Sequence, residues 1–287
     1  MSNRLPAIDI SFEVFPPKSA EGLTTLADTI TRLDDARPAY VSVTYGAGGS
    51  DRQRSFDAIE VVRASTSAPI AAHLTCVGQS RADVDDVVER YRRLGVDHVV
   101  ALRGDPPGGV DAPYAPHPDG FTSTDQLVAA IKQRDGMYVS VSAYPERHPQ
   151  SPSADHDLDV LAAKVAAGAD TAITQMFFDN AHFLALRDRV AARGLDVRLV
   201  PGIFPIHSFT AVARFADRCG ATIPDRIARR FDGLDDDEAA THRVAAELAA
   251  AQITELADHG VEQAHVYTLN KSELALAVCR QIGMVPA

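Results

Sequence analysis

The chain has 287 residues, of which 46% are apolar and 23% charged, with a net charge of −11 and an isoelectric point of about 5.3. That composition supports a sizeable core and excludes a disordered chain. The acidic balance excludes nucleic acid and anionic membranes as partners, because a sequence-independent grip on either needs a basic surface.

Any phosphate must therefore be held by a few placed cations. Cys76, Cys219 and Cys279 are far apart and lack metal-type spacing, so reduced thiols of a cytoplasmic protein are expected, with no metal centre. Met1–Pro6 has no apolar stretch and no run of ~18 apolar residues occurs anywhere, so neither a signal peptide nor a membrane span is expected.

Along the chain, short β-branched runs alternate with segments of helical period. A strand over Ile8–Phe15 precedes a helix over Gly22–Leu33. Strand Tyr40–Tyr45 precedes helix Arg52–Ser65, and strand Ile70–Thr75 precedes helix Arg81–Leu94. The rhythm continues with strand His98–Arg103 and helix Ser123–Arg134, then strand Tyr138–Tyr144 and helix Asp155–Ala167. Strand Thr171–Met176, helix Ala181–Arg193 and strand Arg198–Ile203 follow. The stretch from His207 to Gln263 breaks the rhythm. It holds helices Phe209–Cys219 and Asp237–His259 and a short Asp225–Phe231 segment, before a last strand over Ala264–Leu269. Eight strands joined mostly by crossover helices predict an α/β fold. The expected form is a (βα)8 TIM barrel, one domain over residues 1–287, with extra helices inserted between strands seven and eight. An open doubly wound sheet is the alternative. The insertion suits a cover for the barrel or a contact in a homo-oligomer.

Alternation along each strand assigns faces. Ile8, Ile10, Phe12 and Val14 should meet the helices, leaving Ser11 and Glu13 inside the barrel. Val41 and Val43 face out and Ser42 and Thr44 in; Ile70, Ala72 and Leu74 oppose His73 and Thr75. Val100 and Leu102 are set outward against Arg103, and Val139 and Val141 against Ser140, Ser142 and Tyr144. Gln175 shares the inward parity of Ile173. Glu13, Thr44, His73, Arg103, Tyr144 and Gln175 thus collect late in six strands, at the barrel face where active sites are built. Unpartnered burial of such groups costs about 1–3 kcal/mol each, and a purely structural scaffold would use aliphatics there.

Four motifs carry chemistry. In Phe12-Glu13-Val14-Phe15-Pro16-Pro17, the prolines stop the strand and leave Glu13 at its lip beside aromatic rings, where a raised pKa suited to a general acid is expected. The structural alternative is a carboxylate paired with Arg103. The glycines of Val43-Thr44-Tyr45-Gly46-Ala47-Gly48-Gly49-Ser50 let backbone approach a ligand. Arg103-Gly104-Asp105-Pro106-Pro107-Gly108-Gly109 sets opposite charges on a rigid frame, which reads as a second carboxylate at the mouth or as an ion pair closing a loop. Tyr144-Pro145-Glu146-Arg147-His148-Pro149, with Lys164 on the helix behind, suits an aromatic ring plus phosphates. The remaining histidines, His265 among them, read as surface or packing positions. Lys164 also raises a Schiff-base aldolase, but such a lysine normally comes from a strand.

Together these motifs resemble the methylenetetrahydrofolate reductase family, in its short form that is only the catalytic barrel. Matching stretches run along almost the whole chain: Phe12–Pro17, Val41–Gly46, His73–Cys76, Val100–Asp105, Tyr144–Pro149, Ala172–Gln175, Pro201–Ile203, Phe231–Asp236 and Tyr267–Asn270. The resemblance implies FAD at the strand C-termini and a ping-pong cycle. NADH or NADPH reduces the flavin and leaves, and methylenetetrahydrofolate is then reduced to methyltetrahydrofolate. It assigns Glu13 as the acid that protonates the folate and Asp105 to the pterin and the flavin. Gln175 would contact both substrates, Thr44 would lie near nicotinamide and flavin, and Phe215 would stack on the substrates. Flavin contacts are implied for Tyr45, Ala47, His73, Arg103, Gly104, Asp105, Tyr144, His148, Asp157 and Lys164.

Some positions depart from the family's pattern. Lys271 stands where relatives can carry an Arg that reaches the folate, and Lys lacks the bidentate fork. Val160, Ala163 and Ala211 are apolar where relatives can be polar, and the Gly109–Gly120 loop is longer and rich in proline. Two alternatives stand beside this reading, the first motivated by the lost polar contacts. One is direct hydride transfer from NAD(P)H to the folate without flavin; the other is a non-enzymatic folate- or flavin-binding subunit.

Overall fold

The alternation of strands and helices is realised almost element for element. The computed structural model describes residues 8–46, 49–106 and 114–286. The strands are β1 (Asp9–Val14), β2 (Val41–Val43), β3 (Ile70–Thr75), β4 (His98–Leu102), β5 (Tyr138–Ala143), β6 (Thr171–Thr174), β7 (Arg198–Val200), β8 (Gly202–Ile203) and β9 (Gln263–Tyr267). The crossover helices are α1 (Ala20–Leu33), α2 (Gly49–Ser65), α3 (Arg81–Arg93), α4 (Thr124–Lys132), α5 (Ala154–Ala166) and α6 (Asn180–Ala192). The insertion holds α7 (Phe209–Cys219), α8 (Asp225–Ala228) and α9 (Glu238–Asp258), and α10 (Ser272–Gln281) follows the last strand. That final helix lies beyond every helical segment read from the sequence. Ala47, Gly48, and the Pro107, Gly108 and Gly109 end of the Arg103 motif lie outside the described residues.

All strands are parallel, in the order β7-β6-β5-β4-β3-β2-β1-β9-β8. The seventh expected strand is split into β7 and β8 by Pro201, which has no N–H for a ladder. β7 pairs with β6 and β8 with β9, and the Pro201 carbonyl accepts from His265 N at 2.9 Å. The sheet thus closes on itself as a TIM barrel. Side-chain caps start the helices: Ser80 and Asp83 form a capping box on α3, and Ser19, Ser153, Asp179 and Asp237 cap α1, α5, α6 and α9. No helix among the described residues is long and apolar enough to cross a membrane.

Outward-facing strand residues pack on the helices in two large clusters. One holds Val14, Val41, Val43, Leu74, Val99 and Val141. The other holds Ile10, Phe12 and Val266 with α9 and α10. Burying a side chain such as Phe12 contributes roughly 1.5–3 kcal/mol relative to leaving it exposed. The outward assignment of Val100 and Leu102 is corrected. Val100 pairs with His73 across β3–β4 and packs inside the barrel with Tyr40, Ala71, Ile173 and Val200, with Leu102 against them. β4 ends at Leu102, so Arg103 lies in the following loop, where strand alternation no longer fixes its direction.

Candidate active site

A cavity of about 670 Å³ opens at the C-terminal ends of the strands. Among the described residues it collects almost every side chain expected from sequence: Glu13, Thr44, Tyr45, His73, Arg103, Gly104, Asp105, Tyr144, His148, Asp157, Lys164, Gln175 and Phe215 all line it. Lys271 does not. It stands at the N-terminal boundary of α10 with no capping hydrogen bond, exposed, two residues beyond Leu269, which does line the cavity. Ala47 lies outside the described residues.

Glu13, the penultimate residue of β1, reaches the floor, and its side chain is 22% exposed. Its carboxylate has two histidine neighbours, His73 Nε2 at 3.4 Å and His265 Nε2 at 3.7 Å. Ser42 Oγ stands 3.3 Å from both of those nitrogens, and Ser11 Oγ holds His265 Nδ1 at 2.7 Å. The pairing with Arg103, the structural alternative for Glu13, is absent. So is the raised pKa: burial pushes the Glu13 carboxyl up, but the His265 hydrogen bond and the charges of His73 and His265 outweigh it, leaving the pKa below the ordinary value. Burial depresses the His73 pKa more than Glu13 raises it. His265, read as a packing residue, is the missed member of this group. β9 runs beside β1 with Ser11 opposite His265, and the alternation of Ala264 and Val266 against His265 and Tyr267 was the signal that could have found it.

The other side of the cavity is cationic. Arg103 donates through Nη2 to Gln150 Oε1 at 2.7 Å and through Nε to Gly104 O at 3.3 Å, and its guanidinium lies 5.0 Å from the Tyr114 ring centroid. Lys164, on α5, is buried and donates to Ser142 O at 2.9 Å and Ser142 Oγ at 3.3 Å. Burial lowers its pKa to about 8. His148 packs edge-on against Tyr144 at 4.7 Å, and its backbone N–H donates to Asp157 at 3.0 Å. Burial, then the charge of Arg103, lowers the His148 pKa. No described carboxylate lies within ion-pair distance of Arg103, His148 or Lys164. Gly104 has φ of 82°, and a Cβ there would stand 2.5 Å from Val77 and 2.8 Å from Thr75, so the bend after β4 requires glycine. Beside it the Thr75 hydroxyl is buried with no hydrogen-bond partner among the described residues.

The mouth is apolar. Phe15 and Phe215, each 42% exposed, and Val160, 40% exposed, all face the cavity. Phe215 on α7 meets Phe204 at 5.8 Å, Phe204 meets Tyr267 at 5.9 Å, and Tyr267 meets His265 at 5.6 Å. An aromatic wall therefore runs from α7 to the histidine beside Glu13. Asp105 is exposed at the rim, and the Gln175 amide oxygen accepts from Met176 N at 2.8 Å, so its NH2 group remains as the donor end.

Residues 4–283 match the family model described as methylenetetrahydrofolate reductase. The chain belongs to the methylenetetrahydrofolate reductase family. It is similar to the 5,10-methylenetetrahydrofolate reductase of Escherichia coli, 40% identical over 97% of this chain and 92% of that one. Methylenetetrahydrofolate reductase (NADH) 1 of Arabidopsis thaliana is 32% identical over 96% of this chain and 48% of its own length. A solved structure from Clostridium thermocellum, described as an uncharacterized protein that binds two copies of 5-methyl-5,6,7,8-tetrahydrofolic acid, superposes with a TM-score of 0.64. It covers 96% of each chain at 15% identity and so shows the shared barrel fold. The reductase family thus accounts for the barrel and for the motifs that line its mouth.

Proposed function

We propose that the chain reduces 5,10-methylenetetrahydrofolate to 5-methyltetrahydrofolate with NADH or NADPH, in a ping-pong cycle with FAD as cofactor. The observation that carries this reading is a single cavity with Glu13 on its floor and Arg103, His148 and Lys164 along one side. FAD suits these residues. The three bases lack described carboxylate partners and can meet a pyrophosphate, and the Thr75 hydroxyl has no partner among the described residues. The exposed Phe15 and Phe215 offer apolar surface to flat rings. When bound, FAD supplies hydride transfer, from nicotinamide and then to the folate.

Glu13 gives its proton to N10 of the folate, which opens the five-membered ring to an iminium. Its resting form is the carboxylate, because its pKa is lowered. A substrate that covers the floor removes water, and desolvation is the force that raises a carboxyl pKa. The acid therefore forms with the complex, Glu13 taking up a proton from solvent as the folate displaces water from the floor, with His73 and His265 beside it. Asp105 meets the pterin at the rim, Gln175 donates from its NH2 group, Thr44 lies beside the reacting rings and Phe215 stacks on them. Lys271, off the cavity, serves as an outer contact for the carboxylate tail of the folate.

The purified protein should show a flavin spectrum, bleached by NADH and restored by methylenetetrahydrofolate. Protein that stays colourless with added FAD would remove the flavin from the proposal. Val160, apolar and exposed where a polar flavin contact is expected, favours direct hydride transfer as the second reading. Parallel lines in two-substrate steady-state plots support ping-pong, and intersecting lines support direct transfer.

A further inference from the structure

Two cavity-lining segments far apart in the chain are joined by one carboxylate. Thr222 N donates to Glu146 Oε1 at 2.8 Å, and His182 Nε2 lies 3.9 Å from Glu146 Oε2. The Glu146 side chain is only 14% exposed. Close by, Gly220 ends α7 at φ of 73°, and a Cβ there would lie 2.7 Å from Arg147 O. The loop after β5 and the end of α7 therefore touch at two adjacent points. On the loop, Tyr144 and His148 flank Glu146 and line the cationic side of the cavity. On α7, Phe215 sits little more than one helical turn before Gly220 and faces the same cavity. The other anchors of α7 are elsewhere: Phe209 stacks on Phe231 at 5.5 Å, and Val212 and Ala216 are buried on the inner face.

We propose that Glu146 is a positioning residue that clips the end of α7 to the loop of Tyr144 and His148, and so sets the height of the Phe215 ring above the cavity. The inference rests on the folate-reductase reading, in which Phe215 stacks on the substrate. Because the clip is a hydrogen bond to a backbone N–H, its strength depends on an acceptor oxygen at this place, which Gln retains and Ala removes. Because it acts through Phe215, its effect should vanish when that ring is gone.

The test uses the full chain, Glu146→Ala and Glu146→Gln, each alone and with Phe215→Ala. Amide hydrogen exchange, read without ligand, should accelerate about ten-fold or more at 220–222 in Glu146→Ala and stay unchanged in α6. The KM for methylenetetrahydrofolate should rise about five-fold, the scale of one aromatic contact, with kcat within about two-fold. Glu146→Gln should restore most of both. In the Phe215→Ala background, Glu146→Ala should raise KM no further, the non-additivity expected of residues that act together. An unchanged KM in Glu146→Ala overturns the proposal, as does the same increment in the double variant as in the wild-type background. If the wild-type protein does not reduce the folate, the functional reading fails instead. Exchange at 220–222 then decides the clip alone, and unchanged exchange overturns it.

Discussion

The barrel interior has two polar regions built from the same residue types, one below and one above. Below, His98 Nε2 meets Ser140 Oγ at 2.7 Å, and Ser140 meets Thr171 Oγ1 at 2.6 Å. Tyr40 packs over His98 at 4.8 Å and over His265 at 5.5 Å. The lower polar groups are matched to one another, and burial followed by the charges of His265 and His73 depresses the His98 pKa to about 3. Above, among the described residues, Arg103 and Lys164 face the cavity with neutral hydrogen-bond partners only, Thr75 holds an unmatched hydroxyl, and Glu13 is partly open. Polarity is common to both. What separates a structural interior from a reactive one is charge and hydrogen-bonding capacity left without a protein partner.

The largest effect should follow from neutralising the upper region at its floor. Glu13→Gln should lower the rate of folate reduction by at least about 10²-fold while leaving flavin reduction by NADH within a few-fold, as stopped-flow absorbance of the two half-reactions would show. Equal loss in both would make Glu13 structural, like the residues beneath it.

Lys164 sharpens the contrast from the cationic side. Lys164→Met should weaken FAD binding about 10- to 100-fold in fluorescence titration, the scale of a charge-assisted hydrogen bond. The wild-type lysine, with its pKa lowered to about 8, is charged below that value and neutral above it. FAD affinity should therefore fall as pH rises through 8. In Lys164→Arg, whose side chain stays charged, that pH dependence should disappear.

The lower region should respond to acid instead. The folded pKa of His98 lies far below its ordinary 6.5, so between about 3 and 6.5 the unfolded chain binds the extra proton. Stability is full above 6.5 and falls as pH drops. From 6.5 to 5 this site alone should cost about 2 kcal/mol. Melting curves at the two pH values should converge in His98→Asn. If they stay as far apart as in wild type, the buried histidine is not the acid-sensitive group.

The smallest effect belongs to Lys271, outside the cavity. Lys271→Ala should raise the folate KM by about two-fold, within the range of an exposed ion pair. A ten-fold rise would place the lysine on the reacting part of the substrate.

Much of this was legible in the sequence because parity and period survive in it. The barrel, the insertion and the collection of Glu13, His73, Tyr144 and Gln175 at one end all follow from alternation. Strand four was misassigned because His98-Val99-Val100-Ala101-Leu102 is apolar on both faces, so nothing marks which valine turns inward. Arg103 then set the parity although it lies past the strand end. His265 was overlooked because its contact with Glu13 arises only on closure, when the last strand meets the first. The same closure reversed the expected shift of the Glu13 pKa, since aromatic neighbours are visible locally and histidine partners are not.

The break at Pro201 bears on how the barrel is fastened. Gly202 N turns to the Thr174 hydroxyl at 2.9 Å, and a Cβ there would collide with Thr174 O, so the join tolerates neither a side chain nor a regular ladder. Immediately past β8 the chain leaves for the whole α7–α9 excursion, and it returns to the same join as β9. The α7–α9 insertion is therefore hung from the clasp of the barrel. Along the backbone the helical excursion meets the rolled sheet at its seam, two residues from the histidine beside Glu13 at one end and next to the aromatic wall at the other.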